Sequence, residues 1–594
     1  MTETATEAAA TDAAGIFTHW LTRFAAAVRD GSAEDLAGLL DPEATWRDFM
    51  AFPWDFHHTV GRDETVARFL ELSKTQDASG FTVSQEQAPF AAGTRINGFF
   101  DFTTRDRTDR GYVALVPDGD RFIASVLQTQ VTGLLDHPER TRHNRDEGKV
   151  YGVVPGRTRW SADRGQEAAF ADRDPAVLIL GAGHNGLSIA ARLRALDVPA
   201  LVIDREERVG DTWRNRYASL ALHSTTYGDH LPYLPLPPTW TAHTPKDKFA
   251  DLLESYATLM DLNVWTSTTF LKGHYDEAER RWVIQVRRGD GSVRTLRPRH
   301  FVVAGGLYGV PKIPQLKGME TFTGVAAHSD EFQDGDAYEG KRALVIGAGV
   351  SGHELAHDLC EHGADVTMLQ RSSTYVITYG TYHKCFSTLF TEDMPYSADI
   401  GDQMAYALPP ERSDENSKAL TRQAAEADKD LLDQLQARGF KINMGPDGGG
   451  ILAAINNGMD SYQIDIGASQ LIADGEIGLK QGTEVAEIAG GTVTFTDGSA
   501  LTDVDLIIFA TGYHQFWGHI KPALGSVGDL FDKVYGRAGD GEYANTWRRS
   551  AHPGIWFGTG FIRMARYYTQ FMALLIKAIE EGIEPYDPRD RAAG

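Results

Sequence analysis

Over the first 135 residues the apolar positions change period partway along. Phe17, Trp20, Leu21, Phe24 and Val28 recur at helical spacing, and Asp30-Gly31 closes that stripe. A short helix near 33–40, a strand at 45–49 and a helix over 65–72 follow. Strands then dominate: 99–104, 112–116 and 122–132 read as extended, the last two joined by the turn Pro117-Asp118-Gly119-Asp120. Helices leading into an antiparallel sheet predict an α+β module over 16–135. Residues 1–15, Ala and Thr with scattered acids, read as a disordered tail. The polar stretch 136–174, rich in Arg, Asp, Glu and Gly, reads as a linker partly draped on the surface.

Beyond the linker the strands are short continuous apolar runs, the pattern of parallel strands buried on both faces. One unit occurs twice. Ala176 to Leu180 runs into Gly181-Ala182-Gly183-His184-Asn185-Gly186 and a helix to Leu196, and the next strand, Ala200 to Ile203, ends in Asp204. The second copy is Ala343 to Ile346, then Gly347-Ala348-Gly349-Val350-Ser351-Gly352, a helix to His362, and a strand ending at Gln370, Arg371 and Ser372. In the strand–GxGxxG–helix setting the first glycine makes the turn and the second lets a pyrophosphate approach the backbone. The third lets helix pack on strand, and the helix N-terminus faces the negative charge. An acid such as Asp204 holds a ribose diol and repels a 2′-phosphate, whereas Arg371 and Ser372 suit one, so the second nucleotide is expected to be NADPH, with NADH as a secondary donor.

Composition narrows the chemistry. Lys+Arg 58 against Asp+Glu 82 leaves a formal charge of −24, which argues against a polyanionic partner, nucleic acid or membrane, and for small molecules. Only two cysteines occur, Cys360 and Cys385, too few for a disulfide scaffold and wrongly spaced for a Cys-x-x-Cys redox pair. Without a signal peptide or an apolar run of spanning length, the chain reads as cytoplasmic. His353-Glu354-Leu355-Ala356-His357 matches a zinc-protease pattern, but it sits on the helix of the second cradle with no third ligand at a familiar spacing, so no metal is expected.

Four further segments surround the cradles: Gly210-Asp211-Thr212-Trp213; Phe322-x-Gly324-x-x-x-His328-x-x-x-Phe332; Phe509-Ala510-Thr511-Gly512-Tyr513; and Phe557-Gly558-Thr559-Gly560 followed by Arg566-Tyr567-Tyr568. The constellation, over about 176–582, resembles the class B flavin-dependent monooxygenases. With its N-terminal extension and its Gly-His-Asn-Gly turn it is most similar to type II flavin-containing monooxygenases and their Baeyer–Villiger relatives. The N-terminal module resembles the nuclear transport factor 2 and ketosteroid isomerase cone. The resemblance implies an α/β fold with two Rossmann-like dinucleotide-binding domains plus the α+β cone. Its division is an FAD domain over 175–338 and 506–594, and an NAD(P)H domain over 339–505 with an insertion at 375–467. It also implies a C4a-(hydro)peroxyflavin that oxygenates a ketone, sulfide or amine with O2, in a homodimer.

On that reading Gly181, Gly183, Gly186, Asp204, Trp213, Thr511 and Gly512 meet FAD, and Gly347, Gly349, Gly352, Arg371 and Ser372 meet NADPH. Thr225, His328 and Arg566 are the candidates nearest the chemistry, with core or solvated roles as the alternatives. Phe332 stands where the main Baeyer–Villiger type has Trp, Gln333 where Lys or Pro is usual, and Thr225 or Thr226 where N-oxygenating members offer Asn. In the insertion, 440–443 and 448–450 are expected to cover the substrate. In the cone, Asp48, His57 and His58 can line a pocket, and the module is expected to make the dimer contact or line access to the flavin. The rival functions are a disulfide reductase, which needs a cysteine pair, and a nucleotide-binding redox sensor or NAD(P)H oxidase.

Overall fold

In the computed structural model, which describes residues 12–149, 151–457 and 461–593, the apolar stripe of helix α1 (Ala13–Asp30) buries Phe17, Trp20, Leu21 and Phe24. Asp12 caps it by accepting from Gly15 N, so 13–15 are helical rather than tail, while 1–11 lie outside the described residues. Helices α2 (Ala33–Ala37) and α3 (Arg62–Thr75) join α1 over one face of a sheet built from β1 (Leu40–Phe49), β2 (Phe56–Val60), β3 (Ser79–Val83), β4 (Phe90–Ala92), β5 (Arg95–Thr104), β6 (Arg107–Asp118) and β7 (Arg121–Leu134). Its order is β2-β1-β7-β6-β5-β3, with β4 on β5, and β1 runs parallel to β7. The other face is also apolar, and it packs against the rest of the chain.

The linker is not uniform. Helix α4 (Trp160–Ala169) docks on the next unit, where Ala168 O accepts from Trp265 Nε1 at 2.8 Å and Glu167 pairs with Arg194 at 2.9 Å. That unit is a parallel sheet of β8 (Val177–Leu180), β9 (Ala200–Ile203), β10 (Val264–Trp265), β11 (His300–Val303) and a last strand, Ile555–Phe557, in the order β10-β9-β8-β11 and then 555–557. Helix α5 (His184–Ala195) follows β8, and the long helix Ile562–Glu580 packs against it.

A second parallel sheet holds β12 (Val325–His328), β13 (Arg342–Ile346), β14 (Asp365–Gln370), Gly478–Gln481 and Leu506–Phe509, with 506–509 between β12 and β13. The expected division therefore shifts, because 325–328 and 506–509 belong to the second sheet. The physical reason is that Leu506 to Phe509 is buried throughout, as a central parallel strand must be. Helix α6 (Val350–Glu361) follows β13.

The insertion forms its own small unit, in which β15 (Tyr375–Thr378) pairs with β16 (Tyr462–Asp465), and between them lie α7 (Ala398–Ala405), α8 (Pro410–Ala427) and α9 (Gly450–Asn456). Its two expected cover segments part company. Residues 440–443 lie against the second sheet, where Gln370 accepts from Lys441 N at 2.8 Å and donates to Lys441 O at 2.9 Å. The glycines at 448–450 lead into α9, which does face the site. Among the described residues no helix is long and apolar enough to cross a membrane.

Candidate functional site

Both glycine cradles open onto one cavity of about 1140 Å³. In the first, Gly181 sits at φ +112°, and a Cβ there would stand 2.6 Å from Ala304 O. Gly183, at the N-terminus of α5, has nothing within 4 Å of its missing Cβ, the clearance a pyrophosphate needs. Gly186 packs too tightly on Gly181 O for any side chain. Asp204 accepts from Ala182 N at 2.6 Å and from Glu206 N at 2.9 Å, and each oxygen keeps a lone pair for a ligand hydroxyl. The second cradle repeats this, with Gly347 at φ +122° against Ala510 O, Gly352 against Gly347 O, and Gly349 open to the cavity. These surroundings fit two dinucleotides. Trp213, edge-on to Phe249 at 4.8 Å, lines the first end.

Between the cradles the wall carries a polar cluster that spans the two sheets. Glu354, the fifth residue of α6, is buried, accepts from Tyr217 Oη, and has His223 Nε2 2.7 Å from its other oxygen. Burial works against a charge on His223, but the hydrogen bond and charge of Glu354 outweigh it, and the imidazole pKa rises above its ordinary value. Burial, then Glu354, pushes the Tyr217 phenol well up. An aromatic stretch of wall is built by Tyr382, Phe386, Phe390 and Tyr406 of the insertion with Met564 and Tyr568, and Arg563 lies over the Phe390 ring at 4.4 Å.

Of the three candidates expected nearest the chemistry, none lines this cavity. Thr225 donates to Phe390 O at 3.0 Å. His328 is buried, accepts from Asp330 N at 3.1 Å and donates through Nε2 to Gly512 O at 3.1 Å, so both ring nitrogens are spent on backbone. Burial, the larger effect, lowers its pKa against that Gly512 bond. Arg566 is buried on Asp402 and on the carbonyls of Gly228 and His230, which leaves it neither solvated nor free for a ligand. Gly512 does reach the cavity, whereas Thr511 turns to Lys312 O. Arg371 and Ser372 stand exposed just past the end of β14, outside the cavity wall.

Asp48 and His57 come together, 3.5 Å apart, but inside the N-terminal module and away from the cavity. Burial raises the Asp48 carboxyl to about 7 despite the bond from Thr129. Burial presses the His57 ring down to about 3. His58 turns instead to Glu411 at 3.2 Å. Cys360 and Cys385 are unpaired, and only Cys385 faces the cavity, so no dithiol is available for disulfide exchange. His353 Nδ1 lies 3.1 Å from Gly349 O with its ring edge-on to Phe440, and among the described residues no group of three His, Cys, Asp or Glu side chains is set to hold a metal.

Sequence reasoning missed His223, Tyr217 and the part played by Glu354. A signal existed for Glu354, since a carboxylate in the first turn after GxGxxG lies at the ligand end of the helix.

A family profile described as pyridine nucleotide-disulphide oxidoreductase matches residues 178–384. The chain is 32% identical over 387 residues to the indole-3-pyruvate monooxygenase YUCCA1 of Oryza sativa subsp. japonica, covering 63% of this chain and 84% of that one. It is also 32% identical over 344 residues to the probable indole-3-pyruvate monooxygenase YUCCA7 of Arabidopsis thaliana, covering 57% and 74%. Among solved structures, cyclohexanone monooxygenase from Rhodococcus sp. Phi1 bound to NADP+ aligns with a TM-score of 0.50 at 17% identity, covering 70% of this chain and 87% of that one. An ε-caprolactone-bound cyclohexanone monooxygenase aligns equally well, with a TM-score of 0.50 at 17% identity, covering 70% and 91%. These structural likenesses establish the two-sheet fold alone.

Proposed function

We propose, since this chain belongs to the class B flavin-dependent monooxygenases and uses FAD and NADPH to insert one oxygen atom of O2 into a small organic molecule, that insertion takes place in the cavity both cradles share, on a ketone or sulfide with an apolar body. The flavin, when bound, supplies the hydride acceptance and the activation of O2. The observation that carries the reading is that one cavity holds Gly181 and Gly183, Gly349 and Ser351, the His223–Glu354 pair and an aromatic stretch of wall. In the first cradle the α5 N-terminus, Asp204 and Trp213 hold FAD; in the second, Gly349 and the α6 N-terminus hold the NADPH pyrophosphate.

The protein's own contribution is a dry chamber and a proton held at a fixed atom. Glu354, 2.7 Å from His223 Nε2, favours the protonated imidazole, and both side chains line the chamber. The direct test is steady-state: cyclohexanone or thioanisole raises NADPH oxidation and O2 uptake, and isotopically heavy O2 places one labelled atom in the product. NADPH oxidation that no ketone or sulfide stimulates, with every electron pair appearing as hydrogen peroxide, points instead to an oxidase.

Glu354→Gln removes the charge that raises the His223 pKa. The expected result is a downward shift of the His223 titration in NMR, and a pH–rate profile whose loss of activity on the alkaline side moves to lower pH. At pH 8 oxygenation falls with it, by up to about a hundredfold, the low end of what a positioned acid contributes. An unmoved His223 titration removes Glu354 from this role.

Arg371 is assigned the NADPH 2′-phosphate. Its exposure at the end of β14 leaves the guanidinium free to reach a bound nucleotide. Arg371→Ala is expected to raise the Kd for NADPH about 10–100-fold, the worth of a charge-assisted contact, with little change for NADH. Equal loss for both coenzymes, read by titration, excludes the assignment.

A further inference from the structure

The N-terminal module reaches the chamber through one side chain. Arg47, on β1, is buried among the chamber-lining residues. Its Nη1 donates to Tyr406 O at 3.0 Å and Leu408 O at 2.9 Å, and its Nη2 donates to both carboxylate oxygens of Glu542 at 2.8 and 2.7 Å. Tyr406 and Leu408 lie in the break between α7 and α8, and both line the chamber. Two further ties join module and insertion at the same place: Gln403 donates to Gln128 Oε1 at 2.7 Å, and Arg412 pairs with Glu43 at 2.7 Å. Below Arg47, Phe49 stacks on Phe571 of the last long helix at 5.3 Å, so the module is wedged between the insertion and the body.

We infer that Arg47 is a positioning residue for oxygenation. It fixes the 406–408 break, and with it the wall that the insertion contributes, which makes the N-terminal module a part of the reaction chamber. The chemistry of the contact favours this over a purely stabilising role. A buried ion pair can often be exchanged for apolar side chains of similar volume without loss of stability, so its use at a chamber edge is better explained by what it holds in register. Only a planar guanidinium can serve two carbonyls and a bidentate carboxylate at once, and lysine cannot. The two carbonyls belong to a helix break, whose position would otherwise be set by weaker packing.

The test uses the FAD-loaded enzyme with three variants, Arg47→Lys, Arg47→Met and Arg47→Met/Glu542→Gln, the last leaving no unpaired buried charge. Hydrogen exchange read by mass spectrometry is expected to rise about tenfold across 398–413 in all three, as for a locally opened segment, while 177–196 exchanges as in wild type and the flavin-to-protein ratio is unchanged. With thioanisole as probe, KM rises more than kcat falls. More of the NADPH electron pairs are then lost as hydrogen peroxide, by the balance NADPH + H+ + O2 → NADP+ + H2O2. Wild-type exchange across 398–413 in the folded double variant overturns the inference, and so do unchanged KM and peroxide yield. If both Met variants fail to fold, Arg47→Lys, which keeps the charge, decides the matter by the same measurements. The exchange arm reads the wall alone, whereas the KM and peroxide arms rest on the oxygenation reading, so the two fail separately.

Discussion

Gly181→Ala is expected to yield a nearly colourless protein, with flavin content after desalting roughly tenfold or more below wild type. At φ +112° a side chain is strained by about 1–3 kcal/mol, and the new Cβ would also press to 2.6 Å from the Ala304 carbonyl, which belongs to backbone and cannot swing aside. The turn must shift, and with it Ala182 N, the donor that fixes Asp204. Since 1.4 kcal/mol is a factor of ten in affinity, even partial relief of that strain in the FAD-free state empties the site. Gly183→Ala separates cause from effect. Its φ is −77° and its Cβ meets no protein atom, so the FAD-free variant should melt like wild type and lose FAD only because the dinucleotide backbone is blocked. Equal flavin content in wild type and Gly181→Ala, measured by visible absorbance, removes the first cradle from FAD binding.

What could be read from the chain follows from where the physics is local. Val177 to Leu180 and Leu506 to Ile508 are buried on both faces, so they announce themselves as unbroken apolar runs, and the glycine turns follow within a few residues. The α1 stripe was legible from its helical spacing, and β5 to β7 from their apolar, β-branched and aromatic runs. Pairing was not. Whether Leu506–Phe509 joins the first or the second sheet depends on which carboxyl ends lie side by side, and no local pattern encodes that. The insertion was opaque because β15 and β16 meet across more than eighty intervening residues, most of them helical.

The site divided along the same line. The cradle glycines and Asp204 lie in turns whose geometry is set by residues close in sequence, so the chain declares those turns. His223–Glu354 and Arg47–Glu542 unite side chains from different units, and nothing in the composition of either segment marks the partner. Thr225 and Arg566 failed as ligand candidates because a hydroxyl or a guanidinium near the expected place is equally able to serve the backbone, and here it does.

Arg566→Met is expected to cost about 3–5 kcal/mol, the range for breaking a buried ion pair from one side, seen as a large drop in the urea midpoint. Arg566 is 2% exposed; its Nε and Nη2 hold Asp402 at 2.6 and 2.8 Å, and its Nη1 donates to Gly228 O and His230 O at 2.8 and 2.9 Å. Removal orphans two carbonyls and leaves the Asp402 carboxylate without its counter-ion. Burial, the dominant influence, already lifts Asp402 to about 6 against the pull of Arg566, and without the arginine it rises further. The sign of the pH dependence follows. An acid whose folded pKa lies above its unfolded value near 3.9 takes up protons on folding, so the variant is least impaired at acidic pH and loses stability as pH rises toward that folded pKa. Adding Asp402→Asn removes the charge and should recover part of the loss at pH 8 but little at pH 5. A midpoint unchanged from wild type would remove Arg566 from this anchoring role, and a loss equal at both pH values would mean that Asp402 does not titrate between them. Because Asp402 lies on α7, the same pair anchors the helix whose far end Arg47 holds. The insertion is thus tied from the body by one arginine and from the N-terminal module by the other. Loss of either arginine should therefore loosen α7, Arg566 through Asp402 within the helix and Arg47 through the break at its C-terminal end.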